Sequence, residues 1–356
     1  MTDSLPAGRR IRVLVVDDSA LVRQAIGDAL ARDPELEVVG TAPDPYVARE
    51  KIARLDPDVL TLDLEMPRMD GLTFLRILMK HHPLPVVVVS SLTQAGSQAA
   101  LDAVEAGAVD VLAKPDGTMS LGTLADKLAW HVKAAAAAGR HLRRPPAPQV
   151  AEPPRPRPAA VAAVPLDRQL IVIGASTGGV GALRQLIPAL PVGLPPIAIV
   201  QHISAAFSGA VAQRLAEMSS VAVREAGDDE PLLPGECVIA PGDVHLAVEH
   251  RGGFRTRLVR SPPLHHCRPA VDVLFRSAAE AAGRHAVAVL LTGMGSDGAL
   301  GMQAIRAAGG TTLAEHESSC VVYGMPKAAI GLGVVGRVVP LAEMATALIE
   351  AAARRA

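Results

Sequence analysis

Between residues 139 and 166 the chain loses all apolar periodicity. Arg143-Arg144-Pro145-Pro146 is followed by Pro153-Pro154-Arg155-Pro156-Arg157-Pro158, and neither stretch can bury a face. Proline without hydrophobic period makes a semi-rigid, polyproline-like spacer, not a core. Two separate cores must therefore form, one on each side. The 356 residues divide into an expected first domain over 1–138, a linker over 139–166 and a second domain over 167–356, each of ordinary domain size.

Both flanks have the same rhythm. In the first, short Val/Leu/Ile runs at residues 11–16, 36–40, 59–62, 85–89 and 109–112 alternate with helix-period segments. One of these segments places Leu21, Val22, Ala25, Ile26, Ala29 and Leu30 on a single stripe. After the linker the runs at 170–173, 196–200, 237–240 and 286–291 repeat the pattern. Strand followed by helix, again and again, predicts an α/β chain with two doubly wound parallel sheets.

Composition limits the functions available. A net charge of −1 gives no general electrostatic case for nucleic acid. The basic residues of the linker have no interleaved aromatics and read as a solvated spacer. No apolar run is long enough to span a bilayer, so no direct membrane insertion is expected. The apolar stretch near the N-terminus is too short for a signal peptide. Cys237, Cys267 and Cys320 are odd in number and widely spaced, as suits reduced thiols. These features together predict a cytoplasmic protein.

Parallel sheets gather chemistry at the carboxyl ends of their strands. In the first half those ends hold Asp17 and Asp18, then Asp63, then Ser90, then Lys114-Pro115. Carboxylates on neighbouring loops form a hard oxygen site suited to Mg²⁺. Asp63 is the candidate phosphoryl acceptor, with Ser90 and Lys114 placed to bond phosphoryl oxygens. This set, with Asp63-Leu64-Glu65-Met66-Pro67 and Met69-Asp70-Gly71, resembles the response-regulator receiver family. The resemblance implies a flavodoxin-like fold, a histidine kinase as phosphodonor, and Asp17, Asp18, Asp63 and Glu65 as the metal set. Many receivers place an aromatic switch three residues before the lysine. Here Val111 occupies that position.

The second half opens on an apolar strand that runs into Gly174-Ala175-Ser176-Thr177-Gly178-Gly179. A serine on a glycine turn between strand and helix is exposed at the sheet edge, with a helix N-terminus to favour negative charge. The turn lacks the Lys of a phosphate-binding loop, and Ser176 stands where a dinucleotide fingerprint needs glycine. Two more strand ends supply Gln201-His202 and Thr292-Gly293-Met294-Gly295-Ser296-Asp297-Gly298. Ser176, His202 and Asp297 thus offer nucleophile, base and orienting carboxylate. An α/β-hydrolase arrangement of Ser176, Asp297 and His316 is the competing set, though within this domain no strand and loop precede Ser176's own to build the usual oxyanion hole. His265-His266-Cys267 are consecutive and lack metal-ligand spacing. Cys267 and Cys320 do not sit on glycine turns, and read as packing or cleft-rim residues.

These motifs, with His266-Cys267-Arg268-Pro269, Val271-Asp272-Val273-Leu274-Phe275 and Cys320-Val321-Val322-Tyr323-Gly324-Met325-Pro326, resemble the bacterial chemotaxis protein-glutamate methylesterases. The resemblance spans almost everything but the linker. It implies a Rossmann-like catalytic domain, a Ser176–His202–Asp297 triad, the Met294 N–H as oxyanion donor and no cofactor for the esterase. The implied substrate is a glutamate γ-methyl ester on the cytoplasmic helices of a methylated chemoreceptor, with glutamine deamidation as a second activity. The unphosphorylated receiver is expected to dock over the Ser176 cleft and to leave it on phosphorylation. The alternatives are a phosphorylation-gated receptor binder without catalysis, and a DNA-binding regulator, which would need a basic output domain with a recognition helix.

Overall fold

A computed structural model describes residues 9–91, 93–114, 121–142 and 166–353. The chain splits into two compact units. The first alternates β1 (Ile11–Val16), α1 (Ala20–Leu30), β2 (Leu36–Ala42), α2 (Pro45–Leu55), β3 (Val59–Leu62), α3 (Gly71–His81), β4 (Val86–Ser90), α4 (Gln94–Glu105), β5 (Asp110–Ala113) and α5 (Leu121–Leu142). Its five strands are parallel, in the order β2-β1-β3-β4-β5. Every residue of β3 and β4 is buried, as a strand covered on both faces requires. Local chemistry sets the helix starts. Asp44 accepts from the Tyr46 and Val47 amides with Pro45 in the first turn, and Asp70 accepts from the Thr73 amide. The strand order reverses between β1 and β3, so the ends of these two strands border a crevice.

Helix α5 runs to Leu142, which carries regular structure past residue 138 into the stretch read as linker. The proline-rich remainder of that stretch, 143–165, lies outside the described residues, as does Pro115.

The second unit contains β6 (Leu170–Ala175), α6 (Gly179–Leu186), β7 (Ile197–Gln201), α7 (Ala205–Met218), β8 (Ala222–Glu225), β9 (Glu236–Ile239), β10 (His245–His250), β11 (Phe254–Val259), α8 (Val271–Ala282), β12 (Ala286–Leu290), α9 (Ala299–Ala307), β13 (Thr311–Glu315), α10 (Met325–Gly331), β14 (Arg337–Val339) and α11 (Leu341–Ala353). Seven parallel strands take the order β14-β13-β12-β6-β7-β9-β8. The chain winds outward from β6 in one direction, then returns to β12 and winds outward in the other. The switch point therefore lies between β6 and β12.

One feature departs from the all-parallel expectation. β10 and β11 form a separate antiparallel ribbon, linked to the rest where Pro231 bridges to Arg255.

With so few aromatics, packing rests on aliphatic side chains. Leu170, Val172, Ala198 and Val200 meet Val271, Leu274, Phe275 and Ala278 of α8 and Met302 and Ile305 of α9 in one cluster. All four phenylalanines, Phe74, Phe207, Phe254 and Phe275, are buried. Truncating a fully buried one such as Phe275 to alanine costs about 3–5 kcal/mol. Among the described residues no helix is long and apolar enough to cross a membrane.

Candidate active site

The switch point of the second unit brings three loops together. β6 leads directly into Ser176, whose amide donates to the Thr292 carbonyl at 3.0 Å. Gly178 caps α6 with φ +78°, a conformation that favours glycine. One strand over, the His202 amide donates to the Ala175 carbonyl at 3.0 Å. This bond locks the end of β7 beside the serine turn. On the other side, Gly293 passes so close that a Cβ there would lie 2.7 Å from Ser176 Cβ. Glycine is what lets the loop after β12 approach Ser176.

The side chains form a continuous relay. Ser176 Oγ lies 3.1 Å from His202 Nδ1, and His202 Nε2 lies 2.8 Å from Asp297 Oδ2. These contacts assign the imidazole proton to Nε2, which donates to Asp297, and leave the Nδ1 lone pair for the serine hydroxyl. Asp297 also accepts the Val271 amide on Oδ2 at 2.7 Å and the Asp272 amide on Oδ1 at 2.9 Å. Those amides open α8, whose N-cap residue Ala270 has no side-chain acceptor of its own. Asp297 caps the helix from another loop, and the helix N-terminus in turn favours its charge.

All three side chains are largely shielded from solvent. Burial works against a charged carboxylate at Asp297, but His202 and the two amides outweigh it and lower its pKa below the usual range. Burial likewise opposes an imidazolium at His202, yet the Cys267 sulfur and the Asp297 carboxylate raise its pKa. The sulfur contributes through charge only while it is a thiolate, so Asp297 is the constant part of that effect. Close by, the Gly293 carbonyl accepts the Gly324 and Met325 amides at 3.0 and 2.8 Å. Among the described residues no group accepts from the Met294 N–H, which remains available to a ligand.

In the first unit, Asp17, Asp18 and Asp63 gather at the β1/β3 crevice. One oxygen from each lies within 4.8 Å of the others. Lys114 Nζ reaches Asp63 Oδ2 at 2.7 Å and Asp17 Oδ2 at 3.1 Å. Apart from that ammonium, neither buried oxygen has a hydrogen-bond partner among the described residues. Burial pushes the Asp63 carboxyl up despite Lys114, and the two carboxylates raise the Lys114 pKa against its own burial. A hard, acidic oxygen cluster with under-satisfied buried atoms fits Mg²⁺.

Ser90 ends β4 fully buried, and its carbonyl accepts the Lys114 amide at 2.7 Å. Glu65 does not join the carboxylate cluster with its side chain. Its Oε1 instead accepts from Ser91 Oγ at 2.6 Å, while its amide donates to Asp63 Oδ1 at 3.2 Å. Val111 is a buried residue of β5.

Comparison with known proteins places both units in known families. Residues 171–348 fit the family model described as CheB methylesterase, and residues 13–125 fit the response regulator receiver domain. A protein-glutamate methylesterase/protein-glutamine glutaminase of Syntrophus aciditrophicus (strain SB) is 45% identical over 341 residues, 96% of this chain and 98% of its own. One from Pseudomonas aeruginosa (strain PAO1) is 47% identical over 97% of this chain and 98% of its own. The chain belongs to the CheB methylesterase family. The crystal structure of the Thermotoga maritima CheB methylesterase catalytic domain superposes with a TM-score of 0.50 at 42% identity, covering 51% of this chain and 97% of that one.

In this CheB-family chain the competing serine–aspartate–histidine arrangement does not assemble. His316 is exposed and its Nδ1 pairs with Ser318 Oγ at 2.8 Å. His265, Asp272 and Asp297 do lie close enough to suggest a metal group, but each carboxylate is already engaged. Asp272 accepts from the Gly301 amide and lies 3.0 Å from His265 Nε2. Cys237 and Cys320 are buried, and burial pushes both thiols up, which suits inert packing residues. Cys267 is half-buried beside His202.

Sequence reading gave no role to three residues that hold the site. Gln201 Nε2 donates to the Ser176 and His202 carbonyls at 2.9 and 3.2 Å. Thr292 Oγ1 bridges the Thr177 carbonyl and the Val322 amide at 3.0 and 2.9 Å. Glu315 is the third. A polar residue at a strand end was the available signal for Gln201 and Thr292. For Glu315 none existed without the strand order.

Proposed function

We propose that this protein is a phosphorylation-activated protein-glutamate methylesterase with protein-glutamine glutaminase activity, acting in chemotactic adaptation. The observation that carries the reading is the unbroken relay from Ser176 through His202 to Asp297 at the switch point of a CheB-family domain. His202 Nδ1 takes the hydroxyl proton as Ser176 Oγ attacks the ester carbonyl. Negative charge then develops on the carbonyl oxygen. The Met294 N–H is the donor for it, a class of interaction worth about 3–4 kcal/mol in the transition state. The His202 proton passes to the departing methoxide, methanol leaves, and an acyl-Ser176 ester remains. Water, deprotonated by His202, attacks that ester and releases the glutamate side chain. Asp297 keeps the tautomer and stabilises the transient imidazolium. A glutamine amide follows the same course with ammonia as leaving group.

In the receiver domain, Asp63 is the phosphoryl acceptor, with a histidine kinase as the phosphodonor. Mg²⁺, held by Asp17, Asp18 and Asp63, would offset charge on the phosphoryl group. Lys114 and Ser90 are positioned to bond its oxygens. Glu65 belongs beside this set through its backbone, given where its side chain lies. The substrate is the cytoplasmic helical region of a methylated chemoreceptor, which places the enzyme in the cytoplasm without membrane insertion or nucleic-acid binding.

Methanol release from methylated receptor membranes, with and without a small phosphodonor, tests the reading. Release should depend on Ser176 and rise with the phosphodonor. Equal release by wild type and Ser176→Ala would defeat it.

A further inference from the structure

Glu315 is a fully buried carboxylate at the end of β13. β13 lies beside β12 in register, with Leu290 opposite Ala314. The Glu315 side chain therefore reaches around the end of β12, where its Oε2 accepts the Thr292 amide at 2.8 Å. Its other oxygen, Oε1, is also buried and has no hydrogen-bond partner among the described residues. Ser319 and Cys320 are the polar groups that face this carboxylate, and burial pushes its pKa up. A buried acid with one unsatisfied oxygen costs stability, and an apolar residue would pack there at less cost. Its value must lie elsewhere.

Thr292 supplies that value. Its carbonyl accepts the Ser176 amide, and its hydroxyl ties Thr177 to Val322. It also begins the loop that presents Met294 and Asp297. A single residue therefore links the nucleophile turn, the oxyanion donor and the orienting carboxylate. Among the described residues only Glu315 accepts from its amide.

We propose that Glu315 is a positioning residue for the hydrolysis, orienting the nucleophile turn and the Met294–Asp297 loop through the Thr292 backbone. The inference rests on the esterase reading of Ser176 and adds to it a residue that touches neither substrate nor nucleophile. Misplacing a catalytic group by about an ångström can cost roughly a hundredfold in rate, so the effect belongs on kcat rather than KM.

Two variants separate reach from charge in the full-length protein. Glu315→Gln keeps the length and an acceptor for Thr292 but removes the charge. Glu315→Asp keeps the charge but is one methylene, about 1.5 Å, too short. The first readout is the rate at which a fluorophosphonate labels Ser176, which needs no knowledge of the substrate. The second is kcat and KM for methanol release from methylated receptor membranes.

Glu315→Asp should label and turn over at least tenfold more slowly, with KM within twofold, while Glu315→Gln stays within threefold of wild type. A wild-type rate in Glu315→Asp overturns the proposal, as does a Glu315→Gln variant as slow as Glu315→Asp. If wild type labels normally but releases no methanol, the methylesterase reading fails, and the labelling comparison still decides the role of Glu315.

Discussion

Asp297 Oδ2 lies 2.8 Å from His202 Nε2, on the opposite edge of the ring from Ser176. Because Asp297 also accepts two amides at the start of α8, it cannot turn to suit another tautomer. Asp297→Asn removes the acceptor that selects the Nε2–H form. By analogy with other serine hydrolases, kcat should fall roughly a thousand- to ten-thousand-fold, measured as methanol release under saturating receptor. A loss of less than tenfold would show that the carboxylate is a helix cap and little more.

The raised pKa of His202 has opposite effects on activity and stability. The base must be neutral to accept the serine proton, so activity is lost as pH falls through the raised value. The acid limb of kcat/KM should therefore lie above the ordinary histidine pKa of about 6.5. Stability follows the other sign. A histidine whose folded pKa is raised stabilises the fold below about 6.5, and that contribution disappears as pH rises through the folded value. Thermal melts of wild type and His202→Gln should diverge at acid pH and converge as pH rises. A difference that grows with pH would contradict this assignment.

Gly293 leaves room that the nucleophile needs. A Cβ at this position would meet Ser176 Cβ at 2.7 Å and would collide with Met325 Sδ. Met325 can swing aside, but the serine turn is tied to Thr292 and cannot. Gly293→Ala should lower kcat about ten- to a hundredfold while leaving the melting temperature within a few degrees. Unchanged fluorophosphonate labelling of Ser176 would show that the turn yields more easily than its bonding implies.

In the receiver, Lys114 is the cation for two buried carboxylates. Lys114→Ala leaves Asp17 and Asp63 facing each other, at a cost of roughly 2 kcal/mol, less than for a fully buried pair because Lys114 is partly exposed. Millimolar Mg²⁺ should restore the lost melting temperature, and should stabilise the variant more than it does wild type. Equal Mg²⁺ shifts in both proteins would place the ion away from these oxygens. In the same assay series, Asp63→Asn should abolish phosphodonor-stimulated methanol release and leave the basal rate.

The sequence made the strand-end chemistry legible because Ser176, His202 and Asp297 each follow a short apolar run. Parallel sheets bring such positions to one edge. The buried strands were equally plain, since β4 and β12 are continuous aliphatic runs. The β10–β11 ribbon was not, because its interspersed polar residues and antiparallel pairing break the strand–helix rhythm. β14 escaped notice as a three-residue edge strand with two exposed positions. Thr292 and Glu315 are 23 residues apart, and only the strand order shows that they meet. Glu65 misled for a related reason. Its place in the motif is clear, but motif position does not reveal that Ser91 holds its side chain.

His202 and Asp297 are separated by 95 residues and come from opposite wings of the sheet. During synthesis the serine and histidine leave the ribosome long before the aspartate that orients them. A chain truncated before β12 would therefore hold the serine and the histidine without the carboxylate that orients the imidazole. The constellation is complete only when β12 pairs with β6.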